Sequence, residues 1–332
     1  MNALRRTVNI PLTLTVAFAL SVAFTAQAKS TDAEFAALLR ADKVKEAEQL
    51  ARQRVASNPR DEVALWTLGR LTGSEAAARK DLLPKAEACV AQQPQSARCH
   101  NLIGTLLGAQ AQSGGMGEAL KLIGRIRDGL VKGVELDPTH YQLRRDLVQF
   151  YLIAPGIAGG SVRKAREQVE DFAQRDAARG ALLRTELAAY EEDFAKAQTL
   201  VESVKPGGDA DLSDDLRSTR TTLGFALLAK DRAAEARQQF ERIIAEAPTQ
   251  AIAHLGLGRA LLGQDQPAAA IAALERGLQI DPKLRVHYRL GLAYEKLGDK
   301  ARAMAAFKTF LGYQTEGRQA DEVRRRLAAL GG

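Results

Sequence analysis

One pattern of small and large residues occurs three times between residues 217 and 316. It reads LGFALLAKDRAAEARQQFERIIAEAP at 223–248, LGRALLGQDQPAAAIAALERGLQIDP at 257–282 and LGLAYEKLGDKARAMAAFKTFLGYQT at 290–315. The opening glycines of the three stretches lie 34 and 33 residues apart, and an alanine near the middle of each stretch repeats these spacings. A fixed period of this length is typical of arrays in which one small structural unit stacks on the next.

Each unit has the hydrophobic spacing of two helices. In the middle unit, apolar residues recur at helical intervals between positions 252 and 262 and again between 271 and 280. Gly263-Gln264-Asp265 separates the two helices, and Asp281-Pro282 ends the second one. One helical hairpin leaves a face uncovered, so neighbouring hairpins must stack to bury it.

The order of residues within the unit resembles the tetratricopeptide repeat. Each unit has Leu-Gly, a large residue three positions after the Gly, an Ala twelve positions after it and an apolar residue four positions further on, and the first two units end in Pro. The resemblance implies an all-α fold, a right-handed superhelical solenoid of antiparallel helix pairs. Counting the divergent units earlier in the chain, we expect about eight repeats, followed by a capping helix near Ala320–Leu330.

The chain divides into four parts by composition. We interpret residues 1–28 as a signal peptide and residues 29–204 as divergent N-terminal repeats with insertions. Residues 205–216 contain Pro206, Gly207-Gly208 and several Asp, a composition that predicts a flexible linker at which the array bends. Residues 217–332 form a C-terminal block of clear repeats with the capping helix.

The N-terminus has the features of a secretory signal. Arg5 and Arg6 precede an apolar run, and Ala26-Gln27-Ala28 is a small-x-small cleavage site before Lys29. An uncleaved membrane anchor is the alternative, although polar residues weaken a run that is close to the minimum span. We therefore expect an exported protein, located in the periplasm of a Gram-negative bacterium.

The charge and the motifs argue against several classes of function. The formal net charge is +7, but both signs are interspersed, so we expect neither nucleic-acid binding nor membrane contact. His100, His254 and His287 occupy the same position in separate repeats and His140 follows Pro138 in a turn, so a shared metal ion is not expected. No nucleophile elbow or P-loop occurs. We predict no catalytic residue, no cofactor and no metal site.

Two glycine-rich insertions interrupt the N-terminal repeats. Gly114-Gly115 and Gly117 mark either a plain insertion or a hinge between helices. Gly159-Gly160 precedes Ser161 in the segment 154–161, which forms either a capped turn or a backbone nest for an anion. An enzyme with its site in these insertions is one alternative function.

Cys89 and Cys99 are the only cysteines, and they lie at equal distances before and after Pro94. If Pro94 marks the turn between antiparallel helices, the two side chains face each other. An oxidising compartment then allows a disulfide bond. Two buried, unbonded thiols are the alternative.

The resemblance implies that the first helix of each repeat lines a concave groove, so we predict a non-catalytic scaffold that binds a protein or peptide there. A cell-envelope assembly factor that recruits a cell-wall or outer-membrane enzyme is a more specific alternative. The oligomeric state is left open. The first-helix positions that we expect to be exposed for a partner are Thr221, Phe225, Leu255, Arg259, Leu262, Tyr288, Leu292 and Glu295 in the C-terminal block, with Arg98, Asn101, Arg145 and Gln149 in similar places earlier.

Overall fold

In the computed structural model, the described residues 33–331 form α-helices joined by short turns, and none of them lies in a β-strand. The predicted signal peptide and the cleavage site before Lys29 lie outside these residues. The helices are α1 (Ala33–Arg40), α2 (Val44–Ser57), α3 (Glu62–Thr72), α4 (Ala76–Gln92), α5 (Ala97–Leu136), α6 (Tyr141–Ile153), α7 (Val162–Ala173), α8 (Ala177–Tyr190), α9 (Phe194–Ser203), α10 (Ala210–Leu228), α11 (Ala233–Glu246), α12 (Ala251–Gly263), α13 (Pro267–Ile280), α14 (His287–Lys296), α15 (Lys300–Tyr313) and α16 (Arg318–Ala329).

The helices pair into successive antiparallel hairpins. α1 pairs with α2, α3 with α4, the two halves of α5 with each other, and each later pair follows in chain order up to α14 with α15. α16 packs on α15 and ends the array. In residues 33–331 this gives eight hairpins and a capping helix, so the prediction of an all-α, right-handed superhelical solenoid is confirmed.

The Leu-Gly pair of each clear repeat marks the crossing point of its two helices. A Cβ added at Gly258 would lie 2.5 Å from Cγ of Leu274, and one added at Gly291 would lie 2.3 Å from Cε1 of Phe307. Glycine is therefore required because a large side chain of the second helix seats against the backbone of the first. The spacing of the repeat is thus the spacing of these contacts.

The turn inside each hairpin has its own signature. Asp231 and Asp265 have φ angles of 57° and 56°, and Gly298 occupies the equivalent place with a φ of 75°. This left-handed residue follows the end of the first helix, and the second helix begins two residues later. Asp and Gly suit the position because both adopt left-handed backbone more readily than most residues.

The third hairpin absorbs its insertion as extra helix. Only Gly115, with a φ of 76°, departs from helical geometry between Ala97 and Leu136. The two halves run antiparallel on either side of it, and a Cβ added at Gly129 would lie 3.0 Å from the backbone nitrogen of Gly104. The loop expected around residues 114–117 is therefore a single-residue reversal between two lengthened helices.

The second insertion, residues 154–161, is a capped turn, which was one of the two alternatives left open by the sequence. The Ser161 side chain accepts a hydrogen bond from the Lys164 amide at the start of α7. The amides of Gly159, Gly160 and Ser161 donate to carbonyl oxygens of the preceding segment, Ser161 to that of Tyr151 at 2.8 Å. An anion nest needs free amides, so that reading is wrong.

The linker predicted at residues 205–216 is shorter than expected. α10 begins at Ala210, where Asp209 caps it, and the apolar cluster from Leu107 to Val323 continues across this region through Val204 and Leu212. Asp214 of α10 also pairs with Arg40 of α1 at 3.1 Å. The composition indicated a joint, but only the residues between Ser203 and Ala210 leave the helices, so the core has no break there.

The curvature of the array places the first helices on the inside. Neighbouring first helices touch each other, as α8 touches α10 and α10 touches α12, whereas second helices contact mainly first helices. Successive elements approach most closely on the inner side of a curved stack. No helix among the described residues is both long enough and apolar enough to cross a membrane.

Candidate binding surface

The inner face is the surface made by α3, the first half of α5, α6, α8, α10, α12 and α14. All the predicted partner-binding residues lie on these helices. The inner face differs between its two halves, because the N-terminal half is filled by the chain's own polar side chains and the C-terminal half is more open.

A buried polar network crosses the N-terminal half. Trp66 Nε1 donates to Asn101 Oδ1 at 3.0 Å, and Asn101 Nδ2 donates to Asp146 Oδ2 at 3.1 Å. Arg70 and Gln142 also donate to the Asp146 carboxylate, at 2.9 and 2.8 Å. The network joins α3, α5 and α6, and it satisfies the polar groups that burial would otherwise leave unpaired.

A second network extends from α6 to α10. Arg145 Nε donates to Glu186 Oε1 at 2.7 Å, while its two Nη atoms donate to Ser218 at 2.9 Å and to Thr222 at 3.1 Å. Gln149 donates to the other oxygen of Glu186 at 3.3 Å. Arg145 therefore reaches past α8 and closes the inner face at this level.

These networks correct the prediction for the N-terminal half. Asn101 is fully buried, Arg145 and Gln149 are buried, and each makes its hydrogen bonds within the chain. Arg98 is less enclosed but forms an ion pair with Glu62 at 3.1 Å. The sequence placed these residues on the correct helices; it did not reveal that the superhelix folds them against one another.

Three positions in the C-terminal block are also buried, contrary to the expected exposure. Thr221 donates to the Arg217 carbonyl oxygen within α10, and the Phe225 ring packs against Phe240 with ring centroids 5.1 Å apart. Leu255 is 6% exposed. Thr221 and Phe225 are thus used within their own hairpin, α10 with α11, and all three side chains are buried.

The remaining predicted positions form the open part of the inner face. Arg259, Leu262, Tyr288, Leu292 and Glu295 are all partly exposed, on the adjacent helices α12 and α14. Most of the equivalent residues of the N-terminal half are buried, and Arg145 there bridges α6 to α10. This part of the inner face is therefore the more open one.

The capping helix borders this open surface. Tyr288 donates to Glu322 at 2.8 Å, and Arg326 pairs with Glu295 at 2.6 Å. Burial, reinforced by the hydrogen bond to Glu322, raises the pKa of Tyr288 to about 12. Tyr288 and Glu295 thus fix α16 at the edge of the surface.

Arg259 on α12 and Arg289 on α14 carry charges that repel each other. The Arg259 guanidinium lies over the Phe225 ring at 5.2 Å and the Arg289 guanidinium over the Tyr288 ring at 5.0 Å. Burial and then the charge of Arg289 lower the pKa of Arg259 to about 10, and burial lowers the pKa of Arg289. Arg289 was not among the residues expected from the sequence, although its position one turn before Leu292 was a usable signal.

The histidines have structural roles in separate hairpins. His100 and His254 each contact a proline carbonyl oxygen six residues earlier, with Nε2 to oxygen distances of 3.0 Å to Pro94 and 2.9 Å to Pro248. Within residues 33–331, no three His, Cys, Asp or Glu side chains are grouped so that they could hold a metal ion.

Cys89 and Cys99 form a disulfide bond, with their Cα atoms 5.9 Å apart. It ties the end of α4 to the start of α5 across Pro94, and both residues are buried. Of the two alternatives left open by the sequence, the bonded one is the correct one.

Part of the chain matches known repeats. Residues 227–288 and 284–315 match two family models, both described as tetratricopeptide repeat. No curated protein sequence matches the chain. Among solved structures, yeast Tom70 is similar, with a TM-score of 0.58 and 13% sequence identity. The match covers 87% of this chain and 59% of the Tom70 chain.

Two further solved structures are similar at this level. The human IFIT1 dimer with PPP-AAAA has a TM-score of 0.55 and 14% identity, covering 86% of this chain and 68% of its own. A chain of the APC/C hetero-tetramer Cut9-Hcn1 has a TM-score of 0.51 and 15% identity, covering 90% of this chain and 57% of its own. The chain thus spans less than two thirds of the Cut9-Hcn1 and Tom70 chains, and the similarity concerns the fold alone.

Proposed function

Because this chain is a tetratricopeptide repeat protein, we propose that it is a non-catalytic scaffold that binds a protein or peptide partner on its inner face, at α12 and α14. The fold itself is typical of protein-interaction scaffolds. One observation carries the location: Arg259, Leu262 and Leu292 are partly exposed, whereas equivalent N-terminal positions are used within the chain. Mixed apolar and charged positions on neighbouring helices suit an extended segment or a helix.

The experiment that tests this function compares the inner with the outer face. Leu262→Ser with Leu292→Ser should abolish retention of proteins captured from a cell-envelope extract, because both changes remove apolar contact area. Arg237→Ser with Arg242→Ser alters α11, where both side chains make exposed ion pairs, and should leave retention unchanged. Equal loss in both variants would contradict the proposal, provided that both keep the helical signal of the wild-type protein.

We also propose that the scaffold works in the periplasm after export. The sequence of residues 1–28 supports this, and so does the Cys89–Cys99 disulfide, because such bonds persist mainly in oxidising compartments. Osmotic shock should release protein that begins at Lys29 and carries no thiol open to alkylation after denaturation. Protein that begins at Met1 and stays with the membranes would contradict export as a soluble scaffold. An envelope assembly factor is the same scaffold with a defined partner.

A further inference from the structure

We propose that Arg259 and Arg289 together bind the side-chain carboxylate of an acidic peptide segment on the open part of the inner face. The inference rests on the proposed scaffold function and specifies the chemistry of its partner.

The first support is that these two arginines lack acceptors. Other arginines of the inner face are paired: Arg70 with Asp146, Arg145 with Glu186, and Arg179 with Asp215. Within residues 33–331, Arg259 and Arg289 make no hydrogen bond and no ion pair, and their contacts are with aromatic rings. Each guanidinium has five N–H donors, so the pair offers many unused donors at one place.

The second support is the way the two guanidinium groups are held. Each lies over an aromatic ring, Arg259 over Phe225 and Arg289 over Tyr288. A cation–π contact uses none of the N–H donors in a hydrogen bond, so the donors that bind a carboxylate in bidentate geometry are left over. The side chains are therefore positioned before a ligand arrives, which lowers the entropic cost of binding.

The third support is electrostatic. The charge of Arg289 disfavours the charge on Arg259, and burial disfavours both. The carboxylate whose charge acts on Arg289 is that of Glu322, which is already bonded to Tyr288 and Arg326. A carboxylate between the two guanidinium groups would offset the repulsion and supply the missing acceptors.

The surroundings favour a peptide over a nucleic acid. Leu262 and Leu292 provide apolar contacts beside the pair, and Glu295 and Glu322 toward α16 are both paired with Arg326. A segment with one acidic side chain among apolar residues complements two arginines flanked by leucines better than a polyanion with few apolar groups does.

The test uses the full chain and a random-peptide display library. The wild-type protein should select peptides enriched in Asp and Glu, and replacement of the selected acid by its amide should weaken binding by more than about ten-fold. The double variant Arg259→Gln with Arg289→Gln should lose the enrichment and should bind the acid and amide peptides equally. The control variant Arg237→Gln with Arg242→Gln has the same charge change on the outer face and should behave like the wild-type protein.

The possible outcomes are distinct. The selected peptides could show no enrichment in acidic residues and yet fail to bind the variant with Leu262→Ser and Leu292→Ser. That result would overturn the carboxylate site and leave the scaffold function intact. If no selected peptide depended on the inner face for binding, both the carboxylate site and the scaffold function would be wrong. A single-stranded RNA oligonucleotide that binds through the same pair more tightly than the selected peptides would show that the partner class is wrong. The acid-to-amide exchange in the peptide needs no protein variant, so it decides the matter even if the double variant fails to fold.

Discussion

Arg70 on α3 and Asp146 on α6 form a buried ion pair, with Nη1 of Arg70 2.9 Å from Oδ2 of Asp146. The two residues are 76 positions apart, and the first half of α5 lies between their helices in the stacking order. The pair therefore joins hairpins that are not neighbours. In an ideal solenoid each repeat contacts only the next, so this bridge couples the stability of three hairpins.

Asp146→Asn should destabilise the N-terminal hairpins by about 3 kcal/mol, because it removes the carboxylate charge from a buried ion pair and from the hydrogen bonds around it. The single Trp, Trp66, lies in the same network and reports locally on unfolding by urea. Asp128→Asn is the matched control, since Asp128 is exposed and pairs only with the adjacent Arg127. A change below about 0.5 kcal/mol is expected there, and equal effects of the two substitutions would contradict the structural role of the bridge.

Glycines of the C-terminal block give opposite predictions at two positions. Gly291→Ala should destabilise α14 and α15 by about 1–3 kcal/mol, because the new Cβ would meet the Phe307 ring at 2.3 Å. Gly312→Ala lies inside α15 and meets nothing within 4 Å, so it should stabilise by up to about 1 kcal/mol through helix propensity. Thermal unfolding of both variants measures the contrast. The same sign of change in both would be incompatible with the close helix crossing at Gly291.

These two cases show what the sequence could predict. The repeat period, the Leu-Gly pairs and the hairpin count depend on local helical spacing, which the sequence states directly. The bridges from Arg70 to Asp146 and from Arg145 to Ser218 depend on curvature that accumulates over several repeats. No local pattern encodes that curvature, and so the predicted exposure of Asn101 and Arg145 was wrong.

The open part of the inner face, on α12 and α14, shows the same limit of prediction from the sequence. Leu262 and Leu292 are partly exposed, as their helical positions indicated. Arg289 was missed because only one face of α14 was assigned to the groove, while the packing of α12 against α14 exposes the neighbouring face as well. Side chains at the edge of a helix face need the relative placement of two helices, which the spacing within one repeat does not give.

His287 makes part of the stability pH-dependent. It packs edge-on against Tyr313, with ring centroids 5.9 Å apart, and burial lowers its pKa below the ordinary value. A lowered pKa means that the fold favours the neutral ring, so the contribution is complete above the unfolded-state pKa of about 6.5 and is lost as the pH falls through the lower folded-state pKa.

Between pH 7 and pH 5 the wild-type protein should therefore lose stability relative to His287→Phe, which keeps a ring at this place and cannot be charged. The difference should be below about 1 kcal/mol, because the ring is only partly enclosed. The measurement is the thermal unfolding midpoint of both proteins at the two pH values. Parallel pH dependence of the two proteins would show that protonation of His287 has no cost in the fold.

The C-terminal block should fold without the rest of the chain. A fragment of residues 209–332 keeps the Asp209 cap of α10, the three clear hairpins and α16, and it loses the contacts of α10 with Arg40 and Arg145. Three stacked hairpins with a cap suffice for a cooperative array, so the fragment should be helical and should unfold in one transition. Removal of residues 317–332 should then lower its stability by at least about 2 kcal/mol, because Ala320 and Val323 are fully buried against α15. Circular dichroism during urea unfolding compares the two fragments. If the longer fragment were unfolded, or if the shorter one were equally stable, the stability of the block would have to come from the N-terminal hairpins instead of from its own capped stack.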